Sequence, residues 1–323
     1  MKVFVAGATG AVGKRLVPLL VAQGHEVVAM TRSSDRAGAV RRVGAEPVFA
    51  DGLDGEAVLA AVRHARPEVV IHQMTALEGT VNLKRFDQAF AMTNRLRTEG
   101  LDHLIAAARA SGARRVIAQS YGSWNFERAG GPIKTEEDPL DTDPVPAMRQ
   151  TLAAIRYLES ALATAEGIEG VALRYGNLYG PGTGFADDGA VTELIRHRKF
   201  PIIGNGAGAW SFTHVDDAAG AAIAAMEGGS AGVYNAGDDE PAPASVWLPE
   251  LAKVLGAKPP RHVPVWLGRL VAGEAAVSVF TKIRGGSNAK ARRELGWQLL
   301  FPSWRQGFRH GLSEIPNGSM TSR

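Results

Sequence analysis

No cysteine occurs among the 323 residues. A chain without thiols has no disulfide scaffold, thiolate zinc site, iron–sulfur cluster or cysteine nucleophile. No apolar run approaches the ~20 residues of a membrane span. The start, Met1-Lys2-Val3-Phe4-Val5-Ala6, is too short for a signal-peptide apolar core and runs straight into glycines. A strong charge of one sign is also missing: 36 Lys plus Arg face 33 Asp plus Glu, a net of +3, although the pI is about 9.2. The basic pairs Arg41-Arg42, Arg114-Arg115 and Arg292-Arg293 are scattered, whereas nucleic-acid binders concentrate charge on one face. With 45% hydrophobic and 21% charged residues, whole-chain disorder is excluded. The expectation is a soluble, cytoplasmic protein of about two domains, with a small-molecule substrate and neither nucleic acid nor membrane as partner.

What is present is alternation. Val3–Ala6, Glu26–Met30, Pro47–Ala50, Glu68–His72 and Arg115–Ala118 read as strands. Ala11–Ala22, Ala37–Val43, Gly55–Arg63 and Arg85–Ala110 carry apolar residues at helical spacing between them. This pitch predicts an α/β fold: a doubly wound parallel sheet, Rossmann-like, with helices on both faces. A helix over Ala147–Ala165 leads into a strand at Val171–Arg174, after which glycine and proline clusters loosen the pattern. Further helices fall at Val215–Met226, Val246–Leu255 and near Trp266–Phe280. We expect residues 1–175 with 212–236 to form the dinucleotide domain. Residues 176–211 with 237–315 would form a smaller, irregular substrate lobe, and the polar tail Ile315–Arg323 would fray.

Gly7-Ala8-Thr9-Gly10-Ala11-Val12-Gly13 follows a strand and opens a helix. In that context the first glycine serves a tight turn, the second lets backbone approach a pyrophosphate, and the third lets helix and strand pack closely. The pyrophosphate then meets free N–H groups at the helix N-terminus. The end of the second strand, Thr31-Arg32-Ser33-Ser34, has no acid before Asp35. A carboxylate there would bind the ribose of NAD, whereas Arg32, with Ser33, could pair with a 2′-phosphate. Lys14-Arg15 lies on the first helix. NADP is therefore favoured, with NAD the alternative. Asp51 would border the adenine or start a helix.

The chain resembles the extended short-chain dehydrogenase/reductase superfamily, the NAD-dependent epimerase/dehydratase group. The resemblance rests on Gly7–Gly13, Asp51-Gly52-Leu53, Ile71-His72-Gln73-Met74-Thr75-Ala76 and Asn94. It continues through Leu173-Arg174-Tyr175-Gly176-Asn177-Leu178-Tyr179-Gly180-Pro181-Gly182 and Phe212-Thr213-His214-Val215-Asp216-Asp217. It implies cofactor contacts from Gly7, Thr9, Gly10, Ala11, Val12, Gly13, Arg32, Ser33, Asp51, Gly52, Leu53, Gln73, Met74, Thr75, Tyr175, Asn177 and Leu178. Homodimers through the long helices are the family's habit. Substrate contacts are expected from Trp124, Tyr179 and Trp210, although aromatic residues such as Trp247 and Trp266 in such lobes are mostly core.

The family's Tyr-x-x-x-Lys pair occurs nowhere in this sequence. Anchored on Glu159, which matches the family glutamate of that helix, the pair falls on Thr151 and Ile155. Ser120 matches the family's catalytic serine, and Tyr121 is the nearest substitute acid. A phenol with a pKa of about 10 needs a cationic partner to act near neutrality, and Lys134, Arg149 and Arg174 lie near the right segments. His214 with Asp216-Asp217 invites a general base or metal, but a helix cap is the plainer reading. No metal is expected. Three functions fit: an NADP(H)-dependent oxidoreductase or epimerase-type enzyme with an altered proton relay, an NADP-binding sensor without turnover, and a redox-neutral lyase or isomerase.

Overall fold

Val3 and Val5 pack into one layer while Phe4 and Ala6 pack into another, so β1 (Lys2–Ala6) is buried on both faces. That is why it reads as a continuous apolar run rather than an alternation. The computed structural model describes residues 1–77 and 82–314; the tail from Ile315 onward lies outside them. Around β1 lie β2 (Glu26–Thr31), β3 (Glu46–Phe49), β4 (Val69–His72), β5 (Arg115–Tyr121), β6 (Glu169–Tyr175) and β7 (Gly232–Ala236). All pair in parallel, in the order β3-β2-β1-β4-β5-β6-β7. Pro47 is tolerated because β3 is an edge strand. The order reverses between β1 and β4, and ligands of such sheets collect beyond the strands' carboxyl ends at that point.

Helices α1 (Gly13–Ala22) and α8 (Val215–Glu227) cover one face. The other face is covered by α3 (Gly55–Ala65), α5 (Glu99–Ala110) and α6 (Arg149–Ala163), while α2 (Ala37–Arg42) packs beside β3. The helix expected over Arg85–Ala110 is two: α4 (Phe86–Arg97) ends where Thr98 turns to φ −102° and ψ −86°. Thr98 Oγ1 bonds back to the Asn94 carbonyl at 3.1 Å, the competition with the helix ladder that threonine offers. The break separates two destinations, since α5 packs on α3 while α4 packs on α6.

The remaining helices are α7 (Ala190–Arg196), α9 (Ala244–Val254), α10 (Val265–Thr281, kinked at Gly273), α11 (Ala289–Leu295) and α12 (Trp304–His310). A second core gathers Phe212, Trp247, Phe280, Trp304 and Phe308. Ala291, Leu295 and Trp297 instead pack on the α1/α8 face of the sheet, inside the stretch assigned from sequence to the lobe. The strand β7 carried no sequence signal strong enough to predict it. Among the described residues no helix is long and apolar enough to cross a membrane.

Candidate active site

The glycine turn has three different internal constraints. Gly7 adopts φ +88°, and a Cβ there would stand 2.6 Å from the Gln73 backbone. A Cβ on Gly13 would stand 2.3 Å from the Gly7 carbonyl oxygen. Gly10 meets only that oxygen, at 3.4 Å, so the fold itself leaves room above it. Val12 is buried and α1 starts without a side-chain cap. The Lys14 and Arg15 N–H groups are taken by the Gly10 and Val12 carbonyls, both at 3.0 Å, so the N–H groups that face an anion are those of the turn ahead of Lys14. A cavity of about 380 Å³ opens beside this turn.

Of the expected cofactor residues, Gly7, Thr9, Gly10, Arg32, Ser33, Asp51, Gly52, Gln73, Met74 and Thr75 line that cavity. Arg36 lines it too, and its Nη1 reaches Thr9 Oγ1 at 3.4 Å. Sequence reasoning missed Arg36, although a second arginine four residues after Arg32 was the signal. Lys14 is exposed, and Arg15 is turned away to Asp216 and Glu314 at 3.2 and 2.7 Å. Asp51 accepts from the Leu53 backbone at 3.0 Å, whereas the cap of α3 is Asp54. Leu53 itself packs against the α3/α5 layer rather than lining the cavity.

The Gln73–Thr75 segment is fixed by His72. Its Nδ1 accepts from the Met74 N–H at 3.0 Å, and its Nε2–H donates to the Leu96 carbonyl at 2.9 Å. Burial pulls its pKa down to about 4, so the imidazole is neutral.

Side chains alternate along β5, and Ser120 and Tyr121 therefore part company. Ser120 is 1% exposed and donates to Glu159 Oε1 at 2.8 Å. Glu159 also receives Arg174 through Nε and Nη2, both at 2.7 Å. The hydroxyl expected to meet substrate is thus committed to a buried ion pair beneath the sheet's end. Tyr121 donates to Asn177 Oδ1 at 2.8 Å, and burial pushes its phenol well above the usual tyrosine range. It is a proton donor at neutral pH, not a base. Asn177 is further held by Ser123 and the Ser211 carbonyl. Leu178 is half-buried against the α1/α8 layer, and Ala11 lies near Gly182.

Three other expectations are corrected by burial. Tyr175 is fully buried and donates to the Ala218 carbonyl, Tyr179 packs edge-on to Phe212 and Phe308, and Trp210 donates to the Val279 carbonyl from within the second core. Each is packing rather than cleft. Trp124 is buried too, but its ring lies 5.9 Å from Tyr121. His214 caps α8 with its own ring, accepting from Asp216 N–H at 3.2 Å. Among the described residues no group of three or more acids and histidines could hold a metal.

On α6, Thr151 bonds to Asp87 Oδ1 at 2.6 Å and Ile155 is fully buried. The cations considered for Tyr121 are engaged elsewhere: Lys134 with Asp138, Arg149 loosely with Asp143, Arg174 with Glu159. The charge that does act on Tyr121 is Arg97, at the end of α4. It was missed because its nearness to Tyr121 joins α4 to β5, and no local pattern along the chain records that pairing.

The NAD-dependent epimerase/dehydratase family model matches residues 3–237. The chain is 49% identical over 310 residues to a 3-diazoavenalumate denitrifying reductase from Streptomyces sp, covering 95% of this chain and 99% of that one. It is 28% identical to a 2-alkyl-3-oxoalkanoate reductase from Stenotrophomonas maltophilia, over 94% and 91% of the two chains. Its fold matches the UDP-glucose 4-epimerase of Thermus thermophilus solved with NAD, with a TM-score of 0.72, 24% identity and coverage of 97% and 98%. With its glycine turn, parallel sheet and family match together, this chain belongs to the NAD-dependent epimerase/dehydratase family.

Proposed function

We propose that this protein is a nicotinamide-dinucleotide-dependent reductase, preferring NADP(H), whose acceptor is a diazonium compound. The observation that carries this reading is a loss. The helix that bears the family's proton relay here offers Thr151, tied to Asp87, and the apolar Ile155.

The residues around the cavity fit a dinucleotide. Gly10 leaves backbone room for a pyrophosphate, the turn into α1 offers N–H groups, and Arg32 with Arg36 offers two guanidinium groups beside the end of β2 for a 2′-phosphate. When bound, the reduced cofactor supplies a hydride. A carbonyl acceptor becomes an alkoxide on receiving hydride and needs a proton from the protein. A diazonium group does not: R–N₂⁺ plus hydride gives R–N=NH, which loses N₂ and leaves R–H. The C–N bond breaks, the substrate gains two electrons, and no proton is drawn from a side chain. The relative at 49% identity carries a name of this chemistry, and both reductase relatives support the oxidoreductase reading over a sensor or a redox-neutral enzyme. The remaining work of this chain is orientation and exclusion of water, supplied by the His72-held segment and by Tyr121 fixed on Asn177.

The test is NADPH oxidation with an arenediazonium salt, measured above the enzyme-free rate, with a deuteride-labelled cofactor. A primary isotope effect from the labelled cofactor and one N₂ released per cofactor oxidised are expected. Tyr121→Phe should keep kcat within about 10-fold, because a general acid is worth ~10²–10⁴-fold and none is needed. Carbonyl reduction without diazonium reduction, or a collapse of kcat in Tyr121→Phe, overturns the reading.

A further inference from the structure

Among the described residues, Arg97 is a buried charge with no carboxylate paired to it. It is 4% exposed, and among the described residues no acidic oxygen lies within the 4.0 Å of an ion pair. Among the described residues its one hydrogen bond runs from Nη1 to Asn94 Oδ1, at a long 3.5 Å. Burial pulls the guanidinium down to about 10, which still leaves it charged at neutral pH. Glu159 acts on it from a distance, but that carboxylate is already filled by Ser120 and Arg174. A desolvated cation of this kind is costly unless something anionic completes it.

Its position says where. Asn94 accepts from Arg97 with its oxygen and donates to Thr151 Oγ1 at 3.1 Å with its amide nitrogen. The guanidinium therefore stands one side chain away from the place where the family's tyrosine would stand. Beside it runs a row of aromatic rings. Arg97 lies 6.0 Å from the centroid of Phe90, which stacks on Phe86 at 4.5 Å. Phe86 meets Trp124 edge-on at 5.1 Å, and Trp124 leads to Tyr121 at the end of β5. Phe86 and Trp124 lie in the second core behind half-buried Phe90 and Tyr121, so the aromatic surface next to the guanidinium is that of Phe90 and Tyr121. It suits a flat acid, since arginine both stacks and grips a carboxylate through paired N–H groups. The sugar hydroxyls of a dinucleotide are uncharged and would leave the guanidinium uncompensated, and its phosphates belong at α1.

We propose that Arg97, beside Phe90 and Tyr121, receives the carboxylate of a planar conjugated acid and so defines the substrate class of this site. This rests on the reductase reading for the site's occupant being substrate.

Calorimetry on the protein saturated with oxidised dinucleotide, using cinnamate and its uncharged methyl ester as probes, tests it. Wild type should bind cinnamate at least about 10-fold more tightly than the ester, and Arg97→Met should erase that ratio with dinucleotide affinity held within about threefold. Arg97→Lys should keep part of the ratio, and it decides the matter if Arg97→Met does not fold. No preference in wild type, a preserved preference in Arg97→Met, or a dinucleotide affinity that falls as far as cinnamate affinity each overturns the proposal. Diazonium turnover measured alongside separates the two readings. Turnover without acid preference sinks the Arg97 site alone, and acid preference without turnover sinks the reductase alone.

Discussion

Ser120 donates its hydroxyl proton to Glu159 across 2.8 Å, one residue before Tyr121 sends its own hydroxyl to Asn177. The serine thereby completes the acceptor set of a carboxylate that also neutralises Arg174, which is 5% exposed. Its role is to hold the end of β5 against α6 and β6, not to touch substrate.

Ser120→Ala should therefore cost about 1.5–3 kcal/mol of stability, the range for a hydrogen bond to a charged group, with hydride transfer close to wild type. Glu159→Gln, which strips Arg174 of its buried counter-charge, should cost ~3–5 kcal/mol. Paired denaturant melts and initial rates check this. A large loss of kcat in Ser120→Ala at unchanged stability would return the serine to the cleft.

The glycine turn separates folding from binding. Gly10→Ala meets only one atom, at 3.4 Å, with φ outside the left-handed region, so stability should change by less than ~1 kcal/mol. The added methyl would occupy the path of a pyrophosphate, and dinucleotide affinity should fall at least about 10-fold. Gly13→Ala should instead destabilise the protein by ~1–3 kcal/mol or more, since its Cβ overlaps the Gly7 carbonyl. Thermal melts with and without NADPH distinguish the two.

Arg32 and Arg36 both border the cavity beside β2. Replacing either by alanine should weaken NADPH binding by about 1–3 kcal/mol and leave NADH nearly unchanged. Equal losses for both cofactors would remove the pair from a 2′-phosphate site.

His72 sets an acid limit. The unfolded chain takes up its proton near the ordinary value of 6.5, the folded one only near 4. Between those values the unfolded state binds more protons, so stability falls as pH drops from about 6.5 toward 4 and is fully present above that window. The contribution is roughly 3 kcal/mol at most. Denaturant midpoints across this range should slope less in His72→Gln than in wild type; identical slopes would exclude His72 as the source.

The sequence by itself determined the strand–helix alternation, the glycine turn on β1 and the absence of a Tyr-x-x-x-Lys pair. Each is a local pattern, legible because period and spacing along the chain carry it. It also brought Arg32, Asp51 and Gln73–Thr75 to one cavity, since parallel strands end on one side of the sheet. Only the tertiary structure decided which face of β5 meets α6, and so whether Ser120 or Tyr121 reaches the cleft. Period two says that neighbours diverge, but Glu159 is 39 residues away and its contact is not written locally. Tyr175, Tyr179 and Trp210 look alike in sequence whether they line a cleft or fill a core, and their burial fixed the answer. Arg97 emerged for the same reason. Helical spacing already set Asn94 and Phe90 beside it on α4, but its burial and its nearness to Tyr121 come from other elements, and a charge acquires its chemistry from what surrounds it in space.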